Sequence, residues 1–511
     1  MATIHDGSRE TARPNPLDRL TAIQWSTDRG LLIGLFSVLG AILLAPVWTV
    51  HYPPLIDYPN HLASTFVLAH LKDPAFHFSE FYASNWSPTP YLAMDLILVG
   101  LQQFLPVMLA GRIFLSLCLL AVPPAVWFFI RQANPGQESL AFWSLLLSSN
   151  MYFFMYGFLN LQLAFALCFV VLGLWLRYLE NPRPIRWWLL LVAVSALYFT
   201  HLVGYGVAGI VVTSYLLLKR RSAGEMLRSW LLFLPGAIFY LLWATHGRGN
   251  WSMAFQGLGW KAKGLLAMML GYSPALDFLT LLVIAGCILW AGSDNREFRW
   301  NCNWLGVAGC LFAVYLVLPS NYGSATVVDR RLMPFLFVIA LAGAKVGKRA
   351  KLMVPIVLLL FVLRTGNVEM NFLSIQPRLE NLAQSFSFIP KDSRVLPFIA
   401  HQTENPLPED HFWAYGVIER GWFSPYLFHD RGVQPFQVKL QTYTPSPSPE
   451  YLLTRNEPID WKQIEADYDY LWAYGADQNA LSLKAIGKLV FDSGNLQVFR
   501  LDHPKPLECN H

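Results

Sequence analysis

Asp57-Tyr58-Pro59-Asn60-His61 puts a carboxylate and an imidazole four residues apart, directly after the first long apolar run of a 511-residue chain. Pro59 suits a first helical turn, where its missing N–H costs nothing, and the helix dipole there favours a charged Asp57. Residues four apart share a helix face. Two readings stay open: a capping acid beside a surface histidine, or a carboxylate held for proton transfer with His61 as its neighbour. Cationic or amide side chains near the same boundary can serve an anion or a polar ligand. Arg330 and Arg331 come first, Lys261 and Lys263 second, Arg112 third. Each has an ordinary alternative, which is to snorkel or to attract headgroups. His201, in Thr200-His201-Leu202, is either a neutral donor or a turn cap. Asn160 and Gln162, in Tyr156-Gly157-Phe158-Leu159-Asn160-Leu161-Gln162, either hydrogen-bond a ligand or cap a tight turn. Gly343-Ala344-Lys345-Val346-Gly347-Lys348 is one residue short of a P-loop, and neither H-E-x-x-H nor C-x-x-C occurs, so zinc hydrolysis and thiol redox chemistry lack support.

The elements that must position these residues are membrane helices. The chain is 54% hydrophobic, 15% aromatic and 14% charged, with a mean hydropathy of +0.37. Its net charge of +5 combines a basic stretch over residues 1–370 with an acidic one over 371–511, a pattern of loop charges and not of nucleic-acid binding. Cys118, Cys168, Cys287, Cys302 and Cys310 lie in or beside apolar runs, and Cys509 alone lies in the tail, so no disulfide framework is implied. Residues 1–29 are polar and mixed in charge and read as a cytoplasmic tail without a removable signal peptide.

Apolar runs near 30–50, 109–130, 140–158, 161–179, 187–201, 203–218, 230–245, 276–292, 303–320, 332–345 and 352–370 predict eleven crossings. With the N-terminus inside, the inner segments collect Arg9, Arg13 and Arg19, then Arg177, Arg183 and Arg186, then Lys219, Arg220, Arg221 and Arg228, then Lys345, Lys348, Arg349 and Lys351; the outer segments are poorer in Lys and Arg. An odd number of crossings puts the tail outside. Asp57 then opens a long outer loop, 51–108. Its segment from Tyr91 to Pro106, like a second from Trp260 to Leu276, reads as an amphipathic helix lying on the outer surface. Residues 371–511 read as a small α/β domain, with strands at 395–399 and 468–472, a hairpin over 489–499, helical text at 381–388 and 481–486, and a Pro/Ser-rich stretch at 442–449. Glu409-Asp410-His411-Phe412-Trp413 is either an acceptor-binding patch or ordinary domain surface.

An acid shortly after the first span, surface helices in that loop, Ala110-Gly111-Arg112-Ile113 opening the second span, Arg330-Arg331-Leu332-Met333-Pro334 opening a late one, and an outer C-terminal domain together resemble the GT-C superfamily over most of residues 1–370. The resemblance implies an α-helical polytopic membrane protein with an extracytoplasmic domain, working as a glycosyltransferase on a polyprenyl-phosphate-linked sugar. It implies Asp57 as general base, inversion in a single displacement, and an envelope glycan, lipid or protein as acceptor. It also implies a bacterial inner membrane, membrane lipids as surroundings, and no nucleic acid. A sugar arriving on a lipid carrier needs no nucleotide loop. Many such enzymes pair acids in the first loop and add another in the second, whereas Tyr58 follows Asp57 here and Tyr156–Gln162 holds no acid. A hard divalent cation then lacks its oxygen ligands, so no cofactor is expected and metal dependence is doubtful. A non-catalytic scaffold of the same fold, and a transporter using Asp95, Asp277 and Arg364 within its apolar segments, are the alternatives.

Overall fold

The computed structural model describes residues 29–148, 151–246, 252–292, 298–323, 325–347, 353–399, 407–429, 434–444, 459–475 and 487–501. Continuous apolar text with few charges becomes helix, because in hydrocarbon only intra-segment hydrogen bonds satisfy the backbone. Four helices are long and apolar enough to cross a membrane: Val107–Ala133, Leu159–Glu180, Ala223–Ala244 and Met353–Phe388. Shorter apolar helices include Gly34–Trp48, Leu92–Gln102, Pro184–Thr200, Leu202–Leu218, Pro274–Trp290 and Cys302–Val317. This is a multi-pass membrane protein.

The run at 140–158 departs from a simple span. It is a 3₁₀ turn (Glu138–Ser144), a single α turn (Leu145–Ser148) and a π turn (Met151–Met155), bounded by Gly136 and Gly157 at positive φ. Residues 140–148 are buried throughout, so packing on all sides, and not a lipid face, sets the backbone. The Gly204-Tyr205-Gly206-Val207-Ala208-Gly209 stretch has the spacing of a dinucleotide loop, but it lies inside the helix Leu202–Leu218 and follows another helix; the strand–turn–helix setting that gives the spacing its meaning is missing.

Three elements carry the site. Helix α1 (Tyr58–Ala69) follows Asp57, with Pro59 in its first turn. Helix α2 (Leu92–Gln102) lies within the segment expected as an amphipathic surface helix; it is an apolar helix that packs against α1 and buries Leu92, Met94, Asp95, Leu98 and Gln102. Helix α3 (Met353–Gln384) runs past residue 370 without a break. On it the buried Gln376 accepts from the N–H groups of His51 (3.1 Å) and Tyr52 (3.0 Å) and donates to the Tyr52 carbonyl (2.9 Å). The start of the first loop is thereby tied to the helix that leads into the C-terminal region.

That region contains the expected strands. A sheet of order β1-β2-β4-β3 is built from β1 (Val395–Ile399), β2 (Tyr470–Tyr474), β3 (Gly487–Asp492) and β4 (Leu496–Leu501); β1 and β2 run parallel and the other pairs antiparallel. Gly494 turns the hairpin at positive φ. The expected helix at 381–388 is the end of α3 and a 3₁₀ turn; residues 481–486 and 445–449 lie outside the described residues. The C-terminal region is not a detached unit. Tyr82–Ser84 of the first loop pairs antiparallel with Phe436–Val438, and the buried Tyr82 hydroxyl donates to the Ser424 carbonyl (3.0 Å) while accepting from the Ser424 N–H (2.8 Å).

Candidate active site

Asp57 sits at the N-terminal boundary of α1 and makes no side-chain cap hydrogen bond, so the capping reading of this acid does not hold. What fixes it is backbone. The Asp57 N–H donates to the Tyr156 carbonyl (3.0 Å) and the Ile56 N–H to that of Met155 (3.1 Å). Gly157 allows this approach: its φ is +81°, and a Cβ there would lie 3.0 Å from the amide nitrogens of both Asp57 and Tyr58. Gly111, quoted above for its place before Arg112, leaves no room for a side chain because the Tyr58 hydroxyl packs against it.

The stretch Tyr156–Asn160 is the hub. Its first carbonyl takes the Asp57 amide. The Phe158 ring carries the Arg331 guanidinium at 4.2 Å. Asn160 accepts from the Met94 N–H (3.0 Å) and donates to the Tyr91 carbonyl (2.9 Å), which sets the start of α2. Asn160 thus orders the first loop, and Gln162, wholly buried, donates to the Ser148 carbonyl (2.9 Å) inside the bundle.

Arg331 is the cation whose charge acts on Asp57. It is buried, its charge interacts with Asp57 and Tyr91, and one terminal nitrogen donates to the Thr326 carbonyl (2.8 Å). Its buried Nε finds no acceptor among the described residues. His201 joins this group. Its Nδ1 accepts from the Val203 N–H (3.1 Å), so the turn-cap reading holds for that nitrogen, and a neutral ring then carries its hydrogen on Nε2. Its ring meets Tyr91 edge-on at 4.9 Å and lies within the field of Arg331.

The other expected cations are placed differently. Lys261 is buried and donates to Asp329 (2.7 Å) and to the Leu318 (2.7 Å) and Tyr315 (3.1 Å) carbonyls. Arg330 lies over the Trp260 ring at 3.5 Å, and Trp260 donates to the same Asp329 (3.1 Å). Lys261, Arg330 and Trp260 therefore form a corner around the fully buried Asp329, an acid the sequence reading passed over although it directly precedes Arg330-Arg331. Arg112 donates to the Val50 (2.8 Å) and His51 (3.1 Å) carbonyls and so braces the chain after the first span. Lys263 is exposed on the helix Leu258–Ala267.

The sequence leaves Glu409–Trp413 either an acceptor-binding patch or ordinary domain surface. Glu409, Asp410, Phe412 and Trp413 are instead buried, and His411 comes within 3.7 Å of Asp57. His61, one turn along α1, meets Phe428 at 4.9 Å, and His411 meets the other side of this cluster at 5.1 Å from the same ring. Burial, with His411 adding to it, pushes the His61 imidazole down to about 3; burial pushes His411 down to about 4, against the opposite pull of Asp410. Both rings are neutral near pH 7. Among the described residues no group of three or more His, Cys, Asp or Glu side chains converges to hold a metal ion, so no step is derived through one.

A carboxylate about one-fifth exposed at a helix start, in the field of a buried guanidinium with a spare donor, can remove a proton beside an anion-binding group. Among solved structures similar to this chain is that of ArnT from Cupriavidus metallidurans bound to undecaprenyl phosphate, with a TM-score of 0.54 and 11% identity, covering 94% of this chain and 100% of that one. The fold is GT-C-like. ArnT in the apo state matches with a TM-score of 0.53 and 11% identity, over 92% of this chain and 97% of that one. No family model and no curated protein matches the sequence. The GT-C-like fold spans the bundle and the C-terminal region together, which agrees with the strand pairing and hydrogen bonds that join them.

Proposed function

We propose that this protein is a membrane glycosyltransferase that takes a sugar from a polyprenyl-phosphate carrier and passes it to an envelope glycan, lipid or protein. The observation that carries this reading is a buried Arg331, seated on the Phe158 ring and interacting electrostatically with the partly exposed Asp57 that the Tyr156 carbonyl holds, in a fold shared with a protein solved with undecaprenyl phosphate bound. Asp57 removes the proton of the acceptor hydroxyl as its oxygen attacks the anomeric carbon. The bond from that carbon to the carrier phosphate breaks, the phosphate leaves with the electron pair, and configuration inverts. Arg331, supported by the Nε2–H of His201, stabilises the charge that grows on the departing phosphate. The burial of Arg331 and His201 strengthens their interaction with an anion. The site faces the periplasm in the orientation that the loop charges give.

The test compares the envelope glycans and lipids of a deletion strain complemented with the wild-type gene or with Asp57→Asn, read by mass spectrometry. Loss of one sugar modification with the variant, at equal membrane abundance, supports the reading. An unchanged glycan profile with Asp57→Asn sinks it and favours a non-catalytic scaffold.

A further inference from the structure

Three parts of the chain converge on one side of Asp57: α1 through Asn60 and His61, the turn 424–428, and His411. Asn60 is wholly buried and its amide orientation is fixed by two backbone groups. Its Oδ1 accepts from the Phe428 N–H (2.8 Å) and its Nδ2 donates to the Tyr426 carbonyl (3.0 Å). The same Nδ2 lies 3.4 Å from His411 Nδ1. Facing a donor, Nδ1 must be the lone-pair nitrogen, so the ring hydrogen of neutral His411 sits on Nε2. Nε2 is the nitrogen that faces Asp57 Oδ1 at 3.7 Å. A movement of about 1 Å converts that contact into a hydrogen bond, a tightening common in catalytic sites once substrate is bound.

We infer that His411, delivered by the C-terminal region, is a positioning residue for Asp57: its Nε2–H holds one carboxylate oxygen, keeping the group ionised and aimed. The inference rests on the reading of Asp57 as a base and adds to it the reason the C-terminal region folds back on the first loop. A histidine that was merely packed would need only its ring contacts with Phe428 (5.1 Å) and Trp413 (6.5 Å); the tautomer imposed by Asn60 is what a packing role leaves unexplained. The charged and titratable groups around this point are Arg331, whose charge interacts with Asp57, His61 on α1, and Asp410 beside His411.

Infrared difference spectroscopy of the full-length protein in lipid gives a readout that needs no substrate. The protonated-carboxyl band that Asp57→Asn removes is followed with pH. In His411→Leu that band should appear about one pH unit higher than in wild type, because a donor to the charged form has been lost. His411→Gln, whose amide places an N–H near the Nε2 position, should restore most of the shift. A midpoint unmoved in His411→Leu, or a His411→Gln shifted as far as His411→Leu, overturns the inference and leaves His411 a packing residue. Failure here with a loss of glycan in Asp57→Asn would leave the glycosyltransferase reading standing.

Discussion

Asp57 and Asp329 show how two acids at one end of a bundle come to differ. Asp329 has no exposed surface and is saturated by Lys261, Trp260 and the Arg330 N–H. Asp57 keeps solvent access, and the cation whose charge acts on it, Arg331, lies on another element. Lys261→Met should therefore cost about 3–5 kcal/mol, the penalty for leaving a buried charge unpaired, measured as a large fall in thermal midpoint in detergent, whatever happens to activity. Arg331→Gln should fold, since the loss of its ring contact with Phe158, one carbonyl bond and its charge interactions with Asp57 and Tyr91 is offset by the removal of a buried cation. Residue types were legible in the sequence here and pairings were not. Arg330 and Arg331 are adjacent in the chain, yet one lies over Trp260 and the other over Phe158. Lys261 carried the same charge as Lys263, and only burial against Asp329, 68 residues away, separates their roles.

Helix α1 depends on contacts far along the chain. Asn60 joins it to the turn 424–428 through two good hydrogen bonds to backbone, so Asn60→Leu removes both, takes the side-chain acceptor from the part-buried Phe428 N–H and should cost about 1–3 kcal/mol. The loss should be local: amide hydrogen exchange should speed up in 424–429 and along α1 before it does in Leu159–Glu180. Gly157→Ala forces a side chain against the Asp57 and Tyr58 amides at positive φ, so it should displace Asp57 and lower activity well beyond its effect on thermal stability. Helices with one lipid-facing side and long apolar text were readable, as Leu159–Glu180 and Pro274–Gly292 show, and so was the hairpin around Gly494. The run at 140–158 was not, because an apolar sequence buried on all sides has no periodicity to distinguish an α-helix from 3₁₀ and π turns. Glu409–Trp413 could not be placed for the same kind of reason: nothing local to five mixed residues says that they will be covered by a loop more than 300 positions earlier.

At the level of the whole molecule, the bundle and the C-terminal region share one site, and its acid stability follows from that. His61 and His411 are neutral when folded, with values near 3 and 4, below the ordinary histidine value of 6.5. The unfolded chain binds more protons between those values, so stability is full above about pH 6.5 and falls as pH drops toward 4. For His411 alone the loss approaches roughly 3 kcal/mol, and mutual repulsion adds to it if both rings charge. Thermal midpoints measured from pH 7.5 to 4.5 should fall in wild type and fall less in His411→Gln; a flat profile would show that the rings are not held neutral. The membrane class could be read from composition. That the tail lies across the first loop and not beyond it could not, since Tyr82–Ser84 and Phe436–Val438 give no sign of each other in sequence.

The central claim is that Arg331 receives the carrier phosphate while Asp57 stands beside it as the base. Titration of the purified protein with undecaprenyl phosphate, read by native mass spectrometry, tests it most directly. Losing a charged hydrogen-bond donor to phosphate is worth about 1.5–3 kcal/mol, so Arg331→Gln should weaken binding by roughly 10- to 100-fold, whereas Asp57→Asn, which removes a negative charge near an anion, should bind at least as tightly as wild type. Equal affinity in Arg331→Gln and wild type would contradict the account.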